Sequence, residues 1–483
     1  MLLAGFELAA RRDCDLAGGT GRRWPVCSLA FLLVLLVLGG CATPIGAERA
    51  AARRVYRELT KSALEGHCSD DARSVLHRHN LEKQYAEEPA EALRRLHETA
   101  CRDDRRDLLY ALAELNYLEG ERRARSVPGD ELGQGRDFHL AAAIYAWFFL
   151  VGDDPAARPD PFDRRFRRAC DLYNRAVAFG FARGIWPDTV VEPAGGTRSL
   201  LPGPVAVRFN PLSADWDLSE IEAFLPSDEY RVRGLTVRDR RSGLGAPLIA
   251  VGKGPHANRH SRAVPATLLL RADGDPRLWS AGQLVVSIEL YSTDRTNSVE
   301  VGGRVIPLEA DTTASVAYSL NDTAVWRLGS AQFFSAKERI KTDIYPTQPY
   351  DLERIPVLFV HGTLSSPVWW AEMWNTLQAD PVLRKRYQFW YFLYNSGNPV
   401  TYSAANLRDA IGRTLRQLDP AGEHPALRQM VIVGHSQGGL LAKLTAVDTG
   451  DRLWRAAFDE SFESLALPLR DREAIRRSFF FTP

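Results

Sequence analysis

Three short apolar runs toward the C-terminal end limit the possible folds of this chain more than any other feature. They stand in "IPVLFVHG", "YQFWYFLYN" and "QMVIVGHS", which begin at Ile355, Tyr387 and Gln429. Each is short and almost continuously apolar, the pattern of a strand covered on both faces, as in parallel sheets. Each is followed by a stretch with helical period: "PVWWAEMWNTLQ" from Pro367, "YSAANLRDAIGRTLRQL" from Tyr402 and "QGGLLAKLTAVD" from Gln437. Alternation of this kind predicts a doubly wound parallel α/β sheet over residues 351–483.

Upstream the period changes. Over 41–184 it is helical: Leu108, Leu112 and Leu115 share one face, and Phe162, Phe166, Ala169, Tyr173 and Ala176 repeat the same spacing. "GDDPAARPDP", Gly152 to Pro161, separates two such helices. Antiparallel helical hairpins are expected, loosely like a tetratricopeptide array but without its fixed period. Over 185–350 the period is two, in "YRVRGLTVRD", "GQLVVSIELYS" and "SVEVGGRVIPL". The last holds two short strands around Gly302-Gly303, a pair suited to a tight hairpin turn. A β-rich, sandwich-like domain is the expectation there. The chain as a whole reads as multidomain, with a helical region, a β-rich middle and a C-terminal α/β domain.

The first 40 residues have another character. Arg22 and Arg23 precede the apolar run Val26 to Leu38. That length suits a signal h-region and falls short of the roughly 20 residues of a spanning helix. "LGGC", Leu38 to Cys41, resembles the lipobox of bacterial lipoproteins. The resemblance implies cleavage before Cys41, acylation there, and a lipid-anchored protein of the bacterial cell envelope that faces the periplasm. Ala42 after the cysteine points to the outer membrane. A plain secretory signal with an incidental cysteine is the alternative.

Removing residues 1–40 takes away four arginines (Arg11, Arg12, Arg22, Arg23) and three acids (Glu7, Asp13, Asp15), which leaves the two charge signs equal. That balance gives no reason to expect a nucleic-acid partner. Cys14 and Cys27 leave with the signal, and of the remaining Cys68, Cys101 and Cys170 a Cys68–Cys101 disulfide is expected in an oxidising compartment.

The chemistry lies at the third apolar run. Gly434-His435-Ser436-Gln437-Gly438 matches G-x-S-x-G, in which serine occupies a strained turn between a strand and a helix. Upstream, after the first apolar run, comes "VLFVHGT", Val357 to Thr363. Together these motifs resemble the α/β-hydrolase superfamily in its lipase and serine-esterase branch, over residues 351–483. The resemblance implies that Ser436 attacks an ester carbonyl and that the backbone N–H groups of Thr363 and Gln437 form the oxyanion hole. It also implies that Gly362, Gly434 and Gly438 leave room for close backbone approach, and that His361 and His435 shape their loops. The substrate would be a carboxylic ester or lipid, with no cofactor or metal.

In that family the acid and the histidine follow the nucleophile. Here the last of ten histidines is His435. The acids beyond Ser436 are Asp448 and Asp451 at the end of the elbow helix, then Asp459, Glu460, Glu463, Asp471 and Glu473 in an expected helical insertion. The resemblance therefore implies a truncated domain with impaired activity. The rival expectation is a membrane-anchored binding or assembly protein that keeps the elbow as a fold element.

Three further clusters allow two readings or a weak one. Trp369, Trp370 and Trp374 suit either an acyl-chain pocket or a helix core. His77 and His79, two apart on a helix, diverge and make a poor metal pair. Arg164, Arg165, Arg167 and Arg168 suit either lipid phosphates or a solvated helix face.

Overall fold

A computed structural model describes residues 46–103, 105–126, 132–152, 158–184, 187–210, 218–253, 263–293, 296–321, 342–348 and 350–482. The signal segment, Cys41 and most of the loop Lys253–Arg262 lie outside these residues. Residues 1–59 and 60–483 form two compact units. In the first, α1 (Ala52–Leu59) buries none of its residues. Among the described residues no helix is long and apolar enough to cross a membrane.

The second unit begins with helices α2 (Asp70–Arg78), α3 (Glu82–Glu87), α4 (Pro89–Arg102), α5 (Arg106–Ser126), α6 (Leu132–Val151) and α7 (Arg164–Gly180). In α5, Leu108, Leu112 and Leu115 are buried as their spacing predicts. α6 is buried on every side from Leu140 to Leu150, as suits a helix apolar all round. α7 starts at Arg164 because the Asp163 carboxylate accepts the Arg165 N–H and caps it. Phe162, expected on the buried stripe, therefore precedes the helix and is 97% exposed, whereas Ala169, Tyr173 and Ala176 are buried.

The middle of the chain supplies β1 (Ala182–Arg183), β2 (Val190–Val191), β3 (Gly196–Ser199), β4 (Pro204–Asn210), β5 (Ile221–Pro226), β6 (Arg240–Arg241), β7 (Ala246–Gly252), β8 (Ala263–Asp273) and β9 (Val285–Ser292). Eight of them form one large curled mixed sheet in the order β1-β2-β5-β7-β8-β9-β4-β3, with β4 and β9 its parallel pair. This corrects the sandwich expectation: the layer on the sheet is helical. α6 and α7 pack on β8 and β7, and a single core runs from Ala63 to Leu308. Polar groups stitch the layers together. The Trp147 indole N–H donates to the Ala272 carbonyl at 3.0 Å, and the Tyr173 hydroxyl accepts the Leu270 N–H at 2.8 Å. Asn174 donates to the Gly243 carbonyl and accepts from the Gly245 N–H.

β10 (Ser298–Val301) and β11 (Arg304–Pro307) pair as the expected hairpin, with both central glycines at positive φ, Gly302 at 52° and Gly303 at 72°. "YRVRGLTVRD", expected as a strand, is irregular. Its backbone is satisfied by side chains instead: the Thr236 N–H donates to Glu372, the Val237 carbonyl accepts from Asn375, and the Asp239 N–H donates to Thr313. The chain then adds β12 (Ala310–Asp311), which pairs with β6, and α8 (Thr312–Ser319).

The C-terminal part forms a second sheet from β13 (Asp343–Pro346), β14 (Ile355–Val360), β15 (Tyr387–Leu393) and β16 (Val431–Gly434), in the order β13-β15-β14-β16. β14 is parallel to both neighbours and all six of its residues are buried. β13, which the sequence did not disclose, is an antiparallel edge on β15. The helices here are α9 (Ala371–Ala379), α10 (Pro381–Arg386), α11 (Val400–Leu418), α12 (Pro425–Arg428), α13 (Gln437–Thr445), α14 (Arg452–Ala457) and α15 (Leu469–Phe479). α11 packs on α13 and α15, and beyond α15 the buried Phe481 exchanges two hydrogen bonds with Thr449. Glu372 and Asn375, which hold the irregular 236–239 segment, belong to α9, so this sheet and the middle region are joined by polar contacts as well as packing.

Candidate functional site

Because β14, β15 and β16 are parallel, the segments leaving their C-terminal ends emerge on the same edge of the sheet. Those segments are His361–Ser366, Tyr394 onward, and the turn at His435-Ser436. Ser436 links β16 to α13 with φ 54° and ψ −122°, a conformation costly for an L-residue. Among the described residues it shares positive φ only with Asn80 and Leu364 outside glycine. It is solvent-exposed.

The glycines of the motif are there for space. A Cβ on Gly434 would lie 2.3 Å from the Gly438 carbonyl oxygen, and one on Gly438 would lie 2.2 Å from that of Val360. α13 thus starts in direct backbone contact with β14. The His435 N–H donates to the Val360 carbonyl at 3.1 Å, which extends the strand pairing into the turn. A Cβ on Gly362 would lie 3.0 Å from the Ser436 Cβ, so the loop after β14 packs directly on the serine.

Thr363 and Gln437 also meet: the Thr363 hydroxyl donates to the Gln437 side-chain oxygen at 2.8 Å. Among the described residues neither the Thr363 nor the Gln437 backbone N–H donates to another group. Gln437 is the first residue of α13, where helical N–H groups have no internal partner and the helix end is electropositive. Two unspent donors thus border an exposed serine. His361 is buried against Tyr394, with ring centroids 4.4 Å apart, and burial pushes its imidazole down to about 4. It is neutral at ordinary pH and places no positive charge beside the serine.

Among the described residues no side chain hydrogen-bonds the Ser436 hydroxyl. The tryptophans divide: Trp370 stacks on Phe359 and Trp374 is buried, so both belong to the core, while Trp369 is 75% exposed.

Compared with known protein families, curated protein sequences and solved structures, the chain gives no match.

The other clusters resolve into structural contacts. Arg164 and Arg168 pair with Asp71, Arg165 with Asp163, and Arg167 with Asp171 and Glu309. His77 pairs with Glu82 on the surface. Among the described residues no group of three His, Cys, Asp or Glu side chains is arranged to hold a metal ion. The expected Cys68–Cys101 disulfide is corrected, for both are free thiols, as is Cys170. Cys68 precedes α2 and faces Glu114, whereas Cys101 ends α4 beside His97 and Asp275, so the two sulfurs sit in different surroundings.

Sequence reasoning missed Tyr394 and Ser396. They touch the loop after β14 from more than 30 residues away (Tyr394 to His361 spans 33), and no local pattern marks such a contact.

Proposed function

We propose that the chain carries the nucleophile half of an α/β-hydrolase site, acting on a carboxylic ester or lipid through an acyl-serine intermediate. Ser436 is the nucleophile, and the N–H groups of Thr363 and Gln437 stabilise the oxyanion. The observation that carries this reading is the strained Ser436 turn, φ 54° and ψ −122°, between a parallel strand and a helix and against the Gly362 loop. The two unspent N–H donors beside it support the same chemistry, since donors aimed at developing charge supply much of the rate in acyl transfer. The strand order β13-β15-β14-β16, with the nucleophile on the strand next to the one bearing the oxyanion loop, agrees with it.

In the proposed reaction the Ser436 oxygen bonds to the carbonyl carbon, its proton leaves, the alcohol departs, and water then releases the acid. A base must take that proton. Among the described residues no side chain reaches the Ser436 hydroxyl, so we propose that these residues by themselves turn esters over poorly. Serine hydrolases that lose a triad member retain about 10³–10⁴-fold catalysis over water. The lipobox supports attachment to the bacterial envelope through Cys41.

That the Ser436 hydroxyl has no side-chain partner among the described residues favours a second reading, a membrane-anchored binding or assembly protein without catalysis. A fluorophosphonate probe tests the enzyme reading: stoichiometric labelling that is lost in Ser436→Ala supports it, whereas no labelling is expected both of a binding protein and of a serine without a base.

A further inference from the structure

We infer that Ser396 and Tyr394 are positioning residues that hold the Gly362-Thr363 segment with the Thr363 N–H turned toward Ser436. The inference rests on the hydrolase reading and identifies what sets the oxyanion loop of that same site.

The loop is anchored on both sides of the Gly362-Thr363 pair. Before it, the His361 carbonyl accepts the Tyr394 hydroxyl at 2.8 Å, and the Tyr394 ring stacks on the His361 imidazole at an interplanar angle of 25°. After it, the Leu364 N–H donates to the Ser396 hydroxyl at 3.1 Å. Both anchors are rigidly placed, since Tyr394 is 2% and Ser396 5% exposed. They directly follow β15, the parallel neighbour of β14, so sheet register itself brings them beside the loop.

The backbone of Leu364 shows why an anchor is needed. Its φ is 55°, in the left-handed region that a leucine disfavours, and its side chain is half exposed, so packing of that side chain does little to hold it there. Freed of the Ser396 oxygen, Leu364 relaxes toward negative φ. The Thr363–Leu364 peptide plane then rotates and pulls on the Gly362–Thr363 plane, whose carbonyl is held by the His361 Nδ1 at 3.0 Å. The Tyr394 ring stacked on that imidazole steadies this hold, so the two anchors together keep the Thr363 N–H in its present direction, while Gln437 restrains only the Thr363 side chain.

The full chain and its Ser396→Ala, Ser396→Thr and Tyr394→Phe variants test this by two readouts. Hydrogen exchange of a peptide covering His361–Ser366 follows the anchor, and the rate of Ser436 labelling by a fluorophosphonate follows the oxyanion site. Ser396→Ala is expected to speed exchange at the Leu364 amide and to slow labelling, each by about tenfold, below the loss from deleting an oxyanion donor outright. Ser396→Thr, which keeps the hydroxyl, restores both. Tyr394→Phe, which keeps the stacking ring, shows the same direction from the other anchor. Wild-type exchange and labelling in Ser396→Ala overturn the inference while the hydrolase reading stands. If wild-type protein is not labelled, the active-enzyme reading loses its support, and exchange alone then decides: faster exchange reversed by threonine keeps the anchor, and unchanged exchange removes it.

Discussion

Replacing Glu114 by glutamine should remove one pH-dependent contribution to stability of defined sign and size. Glu114 lies on α5 and is 1% exposed. Its Oε1 accepts the Ala63 N–H at 3.1 Å and the Ser69 N–H at 3.0 Å, and its Oε2 accepts the Ser69 hydroxyl, so it ties down the segment that leads into α2. Burial disfavours the carboxylate and outweighs these donors, pushing the group from 4.5 up to about 7. A carboxyl raised in this way binds its proton more tightly folded than unfolded. Stability is therefore greatest below about pH 4.5 and falls as pH rises, levelling off above about pH 7. At about 1.4 kcal/mol for each pH unit the whole effect is about 3 kcal/mol, most of it between about pH 5 and pH 8. Glutamine can still accept both N–H bonds but does not titrate. Urea unfolding followed by tryptophan fluorescence across that range measures the difference directly. Wild type should lose roughly 2–3 kcal/mol more than Glu114→Gln between the two ends. Parallel curves for the two proteins would refute the balance of burial over hydrogen bonding argued here.

Two further outcomes follow from close packing. Gly438→Ala places a methyl 2.2 Å from the Val360 oxygen and 2.6 Å from that of His361, both backbone atoms that cannot swing aside. It should lower stability by about 2 kcal/mol or more, and an unchanged urea midpoint would show that α13 and β14 are farther apart. Alkylation without reductant should find three thiols in the chain after Cys41. Cys101 reacts first in the folded protein, because Cys68 and Cys170 are more deeply covered and burial pushes both up to about 12. A Cys68–Cys101 linked peptide in the digest would contradict the separation of the two sulfurs.

Much of the C-terminal sheet was legible because its signals are local. A continuous apolar run such as Ile355–Val360 identifies a doubly covered strand, and all six of its residues are buried. The Gly302-Gly303 pair likewise discloses its hairpin, since both positions require positive φ. Phe162 misled for an equally local reason: the helical period continued across Asp163, but the cap at Asp163 starts the helix after it. The irregular 230–239 segment was not legible, since its alternation mimics a strand while its hydrogen bonds go to Thr313, Glu372 and Asn375, far along the chain. The edge strand Asp343–Pro346 was hidden too, because four residues of which only Ile344 is buried carry little pattern of their own.

The sequence by itself determined the three apolar strands of the C-terminal sheet, the helices that follow them, and the Gly-His-Ser-Gln-Gly turn, since these depend on side-chain period and on backbone space within a few residues. Only the tertiary structure decided what covers the large sheet, why the cysteines stay apart, and how the Gly362-Thr363 loop meets Ser436. The last of these depends on parallel pairing of β14 with β15 and β16, which brings together loops 33 and 75 residues apart in the chain (361 to 394 and 361 to 436). Such contacts are set by sheet register and burial, and a linear pattern does not encode which distant loops a shared sheet edge will place side by side.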